Sequence, residues 1–185
     1  MIAKQKRPWP VGQVLHRLAD IRPYFQKDDK ILDIGSGNCI LAKELLDSGY
    51  NLTPLDVVDK SHIPEIKPLI YDGKRLPFAD NSFDVALLIT VLHHTPDPEL
   101  ILREACRVAS RIIIVEDLYT NLLQKYLTFA MDSTLNVEFF GHPHSNKTAA
   151  EWRTVFEKLG LEIAAEHSHP FWYFFRSGTF CLKRK

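Results

Sequence analysis

The chain is poor in the features that build cross-linked, metal-clustered or membrane-spanning proteins. Its three cysteines, Cys39, Cys106 and Cys181, are scattered and never fall into CxxC spacing. Nothing there suggests a disulfide framework or a zinc site, and reduced thiols of a cytoplasmic protein are the plain expectation. No apolar run approaches the ~18 residues of a membrane span. The N-terminal MIAKQKRPWP is basic but lacks an apolar segment, so no signal peptide is expected. An excess of one charge is missing too, because 23 Lys+Arg face 23 Asp+Glu. No long-range field draws the chain to nucleic acid or anionic lipid. Repeats, low-complexity segments and shifts of composition are all absent. At 185 residues the expectation is therefore one domain, 1–185, with a sizeable core.

What is present has the balance of an ordinary globular protein, with 45% apolar and 25% charged residues. The informative stretch is Lys30 to Leu41, KILDIGSGNCIL. Ile31, Leu32 and Ile34 are β-formers of a buried strand, Asp33 stands at its end, and the chain turns through Gly35-Ser36-Gly37. Apolar residues resume at helical spacing from Ile40 through Leu46, so a helix is expected from about Asn38 to Asp47, stopped at Ser48-Gly49. Strand, glycine turn and helix open a parallel α/β sheet, whose ligands bind beyond the carboxyl ends of the strands. A dinucleotide site would place a third glycine at position 40, where this chain has Ile40. The anion at Asp33 would also repel phosphate. The cleft suits a cofactor with an ammonium group and no phosphates.

Those residues carry a resemblance. Asp33-Ile34-Gly35-Ser36-Gly37 resembles the first motif of the class I S-adenosyl-L-methionine (SAM)-dependent methyltransferases, with Cys39 where that family usually has a further glycine. The segment Asp72-Gly73-Lys74-Arg75-Leu76-Pro77-Phe78-Ala79-Asp80-Asn81-Ser82-Phe83-Asp84 is similar to the type 11 subgroup, which includes quinone-ring and small-molecule enzymes. The resemblance implies a doubly wound, mostly parallel, seven-stranded Rossmann-like α/β sheet whose C-terminal strand is antiparallel. It also implies SAM as cofactor, held by Asp33, Gly35, Ser36, Gly37, Asp56, Val57, Asp72, Gly73 and Thr90. In that family Asp72 would accept from the adenine amino group, and Gly73 would offer its N–H to the ring. Leu76 and Phe78 would anchor the loop, and Glu104 with Arg107 would be a structural pair.

The residues themselves support parts of this. Asp56 follows the strand Asn51 to Leu55 and lies 19 residues beyond Gly37, near the spacing of an acid that accepts from a ribose diol. Asp59 is the competitor for that role, from a more polar loop. Val11 to Phe25 reads as an amphipathic helix interrupted near Pro23, so residues 1–27 form a helical cover. Leu69 to Tyr71 reads as a third short strand, and Phe83 to Thr90 is the apolar run of a central one. It empties into Val91-Leu92-His93-His94, followed by a helix from Glu99 to Val108 and a fifth strand from Arg111 to Val115. Glu116 and Asp117 then stand either at the mouth of the sheet or as caps of a helix from Leu118 to Met131. Thr148-Ala149-Ala150-Glu151 is a capping box that opens a helix. Leu161 to Glu166 and Thr179 to Lys183 read as closing strands. The aromatic run Phe171 to Phe175 is either a membrane-facing patch or, as is commoner, strand and core.

The expected activity is methyl transfer by direct displacement to a small-molecule acceptor, with residues 116–146 as the variable acceptor region. If the acceptor must lose a proton, candidate catalytic residues are His94, Glu116 and His142, with Asp117 and His144 beside them. Two alternatives stand. A SAM-binding regulatory protein would show a damaged cofactor motif, yet Asp33, Gly35, Gly37, Asp56 and Asp72 all stand. A metal-assisted transferase would use His93, His94, His142 and His144, although that spacing is not typical of metal pairs, and no metal is expected.

Overall fold

In the computed structural model, which describes residues 16–120, 124, 146–171 and 175–184, strands and helices alternate along the chain. Helix α1 (residues 16–21) runs into a 3-10 turn at Arg22–Tyr24. The beginning of the helix expected over Val11–Phe25 lies outside the described residues. Next come β1 (Lys30–Ile34), α2 (Ile40–Asp47), β2 (Asn51–Asp56), β3 (Leu69–Ile70) and β4 (Phe83–Ile89). After a 3-10 turn at Leu92–His94 follow α3 (Pro98–Val108), β5 (Ala109–Leu118), α4 (Ala149–Lys158), β6 (Leu161–Phe171) and β7 (Phe175–Arg184).

The seven strands form one sheet in the order β3-β2-β1-β4-β5-β7-β6. Strands β1 to β5 pair in parallel, while β7 runs antiparallel to both β5 and β6. The order reverses between β1 and β4, which makes the crevice above their carboxyl ends the place for a ligand. The expected doubly wound sheet with a reversed final strand is what the chain forms.

Alternate residues of each strand feed two cores. On one face Leu32, Ile34, Leu88, Ile112, Ile114, Phe180 and Leu182 pack against α3 and against Trp152 and Phe156 of α4. On the other, Ile31, Val85, Leu87, Ile113, Val115 and Cys181 pack against Leu18 and Ile21 of α1 and Leu41, Ala42 and Leu45 of α2. Both helices of the first core are capped as their sequences dictate. Asp97 accepts from the N–H of Leu100 at 3.0 Å, and Thr148 with Glu151 forms the capping box.

Several boundaries differ from the sequence reading. α2 begins at Ile40, two residues late, because Cys39 takes a left-handed φ of 58° that a helix cannot contain. β5 continues past Val115 to Leu118, because Arg176, Ser177 and Gly178 of β7 pair with its last three residues and hold them extended. Glu116 and Asp117 therefore lie inside a strand. β6 and β7 are likewise longer than their apolar cores suggest, since each completes the other's ladder up to the pair Phe171–Phe175. The helix expected from Leu118 to Met131, His142, His144 and Trp172 to Phe174 fall outside the described residues, apart from Leu118, Tyr119, Thr120 and Gln124.

Candidate functional site

The turn after β1 is fastened to β2. The N–H groups of Gly35 and Ser36 both donate to the carbonyl of Leu55, at 2.8 and 3.0 Å. Gly37 donates to Asp56 Oδ2 at 2.8 Å, while Asp56 Oδ1 accepts from the N–H of Val57 at 2.7 Å. The two glycines have different reasons to be glycine. Gly35, at φ 76°, lies under Val91, and an added Cβ would stand 2.5 Å from a Val91 methyl. Gly37, at φ 51°, has nothing within 4 Å of that position and leaves its backbone open to the crevice. Cys39 adopts the same left-handed backbone without being glycine, and its N–H donates to the carbonyl of Ser36 at 2.9 Å.

Asp33 lies beneath this turn, only 2% exposed, and its Oδ2 has no hydrogen-bond partner. Burial, and secondarily the nearby charge of Asp56, push its carboxyl up to about 7 from an ordinary 3.8. A buried carboxylate without a partner is an invitation to a cation or a donor.

Asp56 and Asp59 are separated by what holds them. Asp56 closes β2 and touches the glycine turn. Asp59 sits on the surface, accepting from the N–H of Ser61 at 3.0 Å and facing Lys67 at 3.2 Å. Those partners hold its carboxyl below the usual range. Asp72 begins a loop in which its Oδ1 accepts from the N–H groups of Lys74 and Arg75, at 2.8 and 3.0 Å. Gly73 (φ 74°) comes against Val57, whose methyl would stand 3.2 Å from an added Cβ. The loops after β2 and β3 thus meet at the exposed Val57.

Behind Asp72 the loop is clamped from α3. Glu104 accepts from the N–H of Leu76 at 2.9 Å, and Arg107 donates to the carbonyls of Leu76 and Phe78 at 2.9 and 2.7 Å. Arg107 also donates to Glu104 at 2.6 Å, so the pair acts as one brace. Asp84 stands at the amino end of β4, away from the crevice, accepting from the N–H of Lys30 at 2.8 Å.

The loop after β4 is fixed from β5. Thr90 holds a left-handed φ of 54°, costly for a β-branched residue, and its N–H donates to the carbonyl of Val115 at 2.7 Å. Glu116 is fully enclosed, not at the mouth of the sheet. Its Oε1 accepts from the N–H groups of Val91 and Leu92 at 3.0 and 2.8 Å, and its Oε2 pairs with His93 Nδ1. The His93 ring packs on that of His94 at 4.1 Å between centroids, and His94 is partly exposed beside the crevice. Among the described residues no three of His, Cys, Asp or Glu are grouped to hold a metal.

A family model described as a methyltransferase domain, type 11, matches residues 32–111, which contain all of these loops. The same fold is found in a SAM-dependent methyltransferase of Methanosarcina mazei, at a TM-score of 0.69 and 21% identity over 89% of this chain and 96% of that one. Over residues 32–111 this chain is similar to the type 11 methyltransferase domain, and its sheet is that of the SAM-dependent methyltransferases.

Among curated methyltransferases of known acceptor, the chain is 31% identical over 117 residues to the demethylmenaquinone methyltransferase of Paenarthrobacter aurescens, covering 55% of this chain and 46% of that protein. It is 30% identical over 105 residues to the 27-O-demethylrifamycin SV methyltransferase of Amycolatopsis mediterranei, covering 50% and 38%. The chain spans about half the length of the curated relatives it matches, or less. Sequence reasoning picked out the loops after β1, β2, β3 and β4 as candidate cofactor loops, and they stand together at the carboxyl ends of the strands. It missed the coupling of Glu116 to His93, because nothing local joins residues 23 apart across two strands. The apolar run before Glu116 was the available signal, since a charge continuing a buried strand needs a buried partner.

Proposed function

We propose that this chain transfers a methyl group from SAM to a small-molecule acceptor. The observation that carries the reading is the pairing of a buried, unpartnered Asp33 carboxylate with a glycine backbone left open at Gly37. Asp33 answers a cationic amino-acid moiety, and Gly37 admits it closely. Asp56, already tied to the turn through Gly37 and Val57, accepts from the ribose hydroxyls. Asp72, Gly73 and Val57 border the adenine side, while Ser36 and Thr90 complete the wall.

When bound, SAM supplies a methyl carbon on a charged leaving group, so alignment alone contributes up to ~7–11 kcal/mol of rate acceleration in favourable cases. The chain's task is therefore to orient and to exclude water. Glu116 serves that task as a positioning residue: it holds His93 and the backbone of Val91 and Leu92, and so places His94. His94 takes the acceptor's proton where one must leave, with His142 from the variable region as a second candidate. The relatives act on a demethylmenaquinone and a rifamycin by their names, which favours a small acceptor here too. Among the described residues no helix is long and apolar enough to cross a membrane.

The test is incubation with methyl-labelled SAM and mixtures of small hydroxylated, amino and thiol acceptors. The reading expects label in a small product and matching release of S-adenosylhomocysteine (SAH). Tight SAM binding with no SAH release under any mixture would favour the regulatory alternative. The metal-assisted alternative needs a third ligand beside His93 and His94, and among the described residues no three of His, Cys, Asp or Glu are grouped to hold a metal.

A further inference from the structure

A second polar cluster lies on the α1–α2 face of the sheet, and the cofactor loops make no use of it. Asp117 on β5, Ser177 on β7 and His169 on β6 are cross-strand partners in one row. Residues directly paired in antiparallel strands share a face, with Cβ atoms about 4.5–5.5 Å apart. Thr179 occupies the same face in the next row, paired with Val115 and His167. Helix α1 lies across both rows. Its Arg17 stands 3.6 Å from Asp117 and its Asp20 stands 3.6 Å from His169. Residues three apart share a helix face, so α1 bridges β5 to β6 with Ser177 between the two contacts.

Beneath this bridge, polar atoms accumulate without hydrogen bonds, although Asp117 Oδ1 keeps its ion pair with Arg17. Arg17 Nη1, Asp117 Oδ1, Ser177 Oγ and Thr179 Oγ1 are all buried and make no hydrogen bond. Ser177 is 5% exposed and Thr179 is 1% exposed. The Arg17–Asp117 contact is Coulombic only, since 3.6 Å is too long for a hydrogen bond. Buried polar atoms ordinarily make hydrogen bonds, so four that make none in one place need a reason. The place itself is suggestive. It lies at the carboxyl end of β5, next to the strand whose end presents Thr90 and His94.

The chemistry of the set narrows the ligand. Arg17 and Asp117 offset each other, so a free anion meets Asp117 and a free cation meets Arg17. Donors (Arg17 Nη1 and the two hydroxyls) alternate with acceptors (Asp117 Oδ1 and the same hydroxyls). Such a set matches neighbouring hydroxyl groups, each able to give and to take a hydrogen bond. We propose that it recognises the methyl acceptor, and that this acceptor is a neutral small molecule bearing adjacent hydroxyls, admitted when α1 lifts from β5 and β6. The word acceptor rests on the methyltransferase reading; the binding site does not.

The test uses the full chain saturated with SAH and three probes, catechol, benzoate and benzylamine, followed by calorimetry. Catechol is expected to bind at least about tenfold more tightly than either charged probe. Ser177→Ala and Thr179→Val are each expected to weaken catechol about three- to tenfold, with SAH affinity held within about twofold. Both variants should also raise the melting temperature of the free protein, because each removes an unpaired buried hydroxyl. Equal affinity for the three probes, or no catechol binding, overturns the proposal. So does a fall in melting temperature with catechol affinity unchanged, which would make these hydroxyls parts of the core. If SAH itself fails to bind, the methyltransferase reading falls, and the same titration on the protein alone still tests the site.

Discussion

Two buried carboxylates stand near the carboxyl ends of the strands, Asp33 on β1 and Glu116 on β5, in opposite conditions. Glu116 is completely enclosed, and its two oxygens have three partners within the protein. Asp33 is almost as deeply buried, yet one of its oxygens has none. They also face opposite sides of the sheet, Asp33 toward α1 and α2 and Glu116 toward the loop after β4. The difference separates two uses of a buried charge. A satisfied carboxylate orders the protein around it, whereas an unsatisfied one is held in readiness for something from outside. Glu116 is thus part of the frame, and Asp33 is the carboxylate we propose for the binding surface.

Removing each in turn should make the contrast plain. Glu116→Ala strands His93 and two backbone N–H groups in the core, and should cost about 3–5 kcal/mol of stability, the usual loss when one partner of a buried pair is removed. Glu116→Gln keeps an acceptor for Val91 and Leu92 and should cost about 1–3 kcal/mol. Denaturant unfolding of the two variants measures both. A stable Glu116→Ala variant that had lost only turnover would turn Glu116 back into a direct catalytic group.

Asp56 stands between the two extremes, engaged with backbone but open to the crevice. Asp56→Ala should weaken SAM binding by roughly 1.5–3 kcal/mol with little change in fold, by loss of charge-assisted hydrogen bonds to ribose. Normal binding by this variant, together with impaired binding by Asp59→Ala, would shift the ribose contact three residues along the chain.

The glycine turn repeats the contrast at smaller scale. Gly35→Ala drives a methyl into Val91, and should lose about 1–3 kcal/mol more stability than Gly37→Ala, the ordinary range for overpacking. Gly37→Ala should show itself chiefly in weaker SAM binding. Unfolding curves and SAM titrations on both variants test this, and equal stability losses would mean that Val91 yields.

The contrast also shows in pH dependence. Asp33 has a raised pKa in the folded chain, so the folded state binds a proton more tightly than the unfolded one. Its contribution to stability is then fully present below the ordinary value of 3.8 and is lost as pH rises through about 7. The SAM-free protein should therefore lose stability across that interval from this group. Asp33→Asn should remove that part of the slope while weakening SAM binding. Melting temperatures of both proteins across the interval provide the check, and parallel curves would mean that Asp33 is already ionised.

Much of this frame was legible in the chain because its signals are local. Asp33 to Gly37, Asp56 and the Asp72 to Asp84 segment each declare a turn or a strand end by residue type and spacing. The Thr148–Glu151 capping box is equally local. What escaped depends on neighbours far along the chain. β5 reaches Leu118 only because β7 pairs with it, so Glu116 and Asp117 looked like a strand end. Cys39 gave no sign that it would accept a left-handed backbone, since that geometry is imposed by the Ser36 carbonyl and the start of α2. The Arg17–Asp117 and Asp20–His169 contacts join α1 to strands 100 and 149 residues further along the chain, and no periodicity announces them.

The central claim is that the crevice holds an open carboxylate for a cation, and so selects SAM over a phosphate-bearing dinucleotide. Calorimetry of the unmodified chain with SAM, SAH and NAD tests it most directly. The account predicts that SAM and SAH bind while NAD does not. Tighter binding of NAD, or failure of both SAM and SAH to bind, would contradict it.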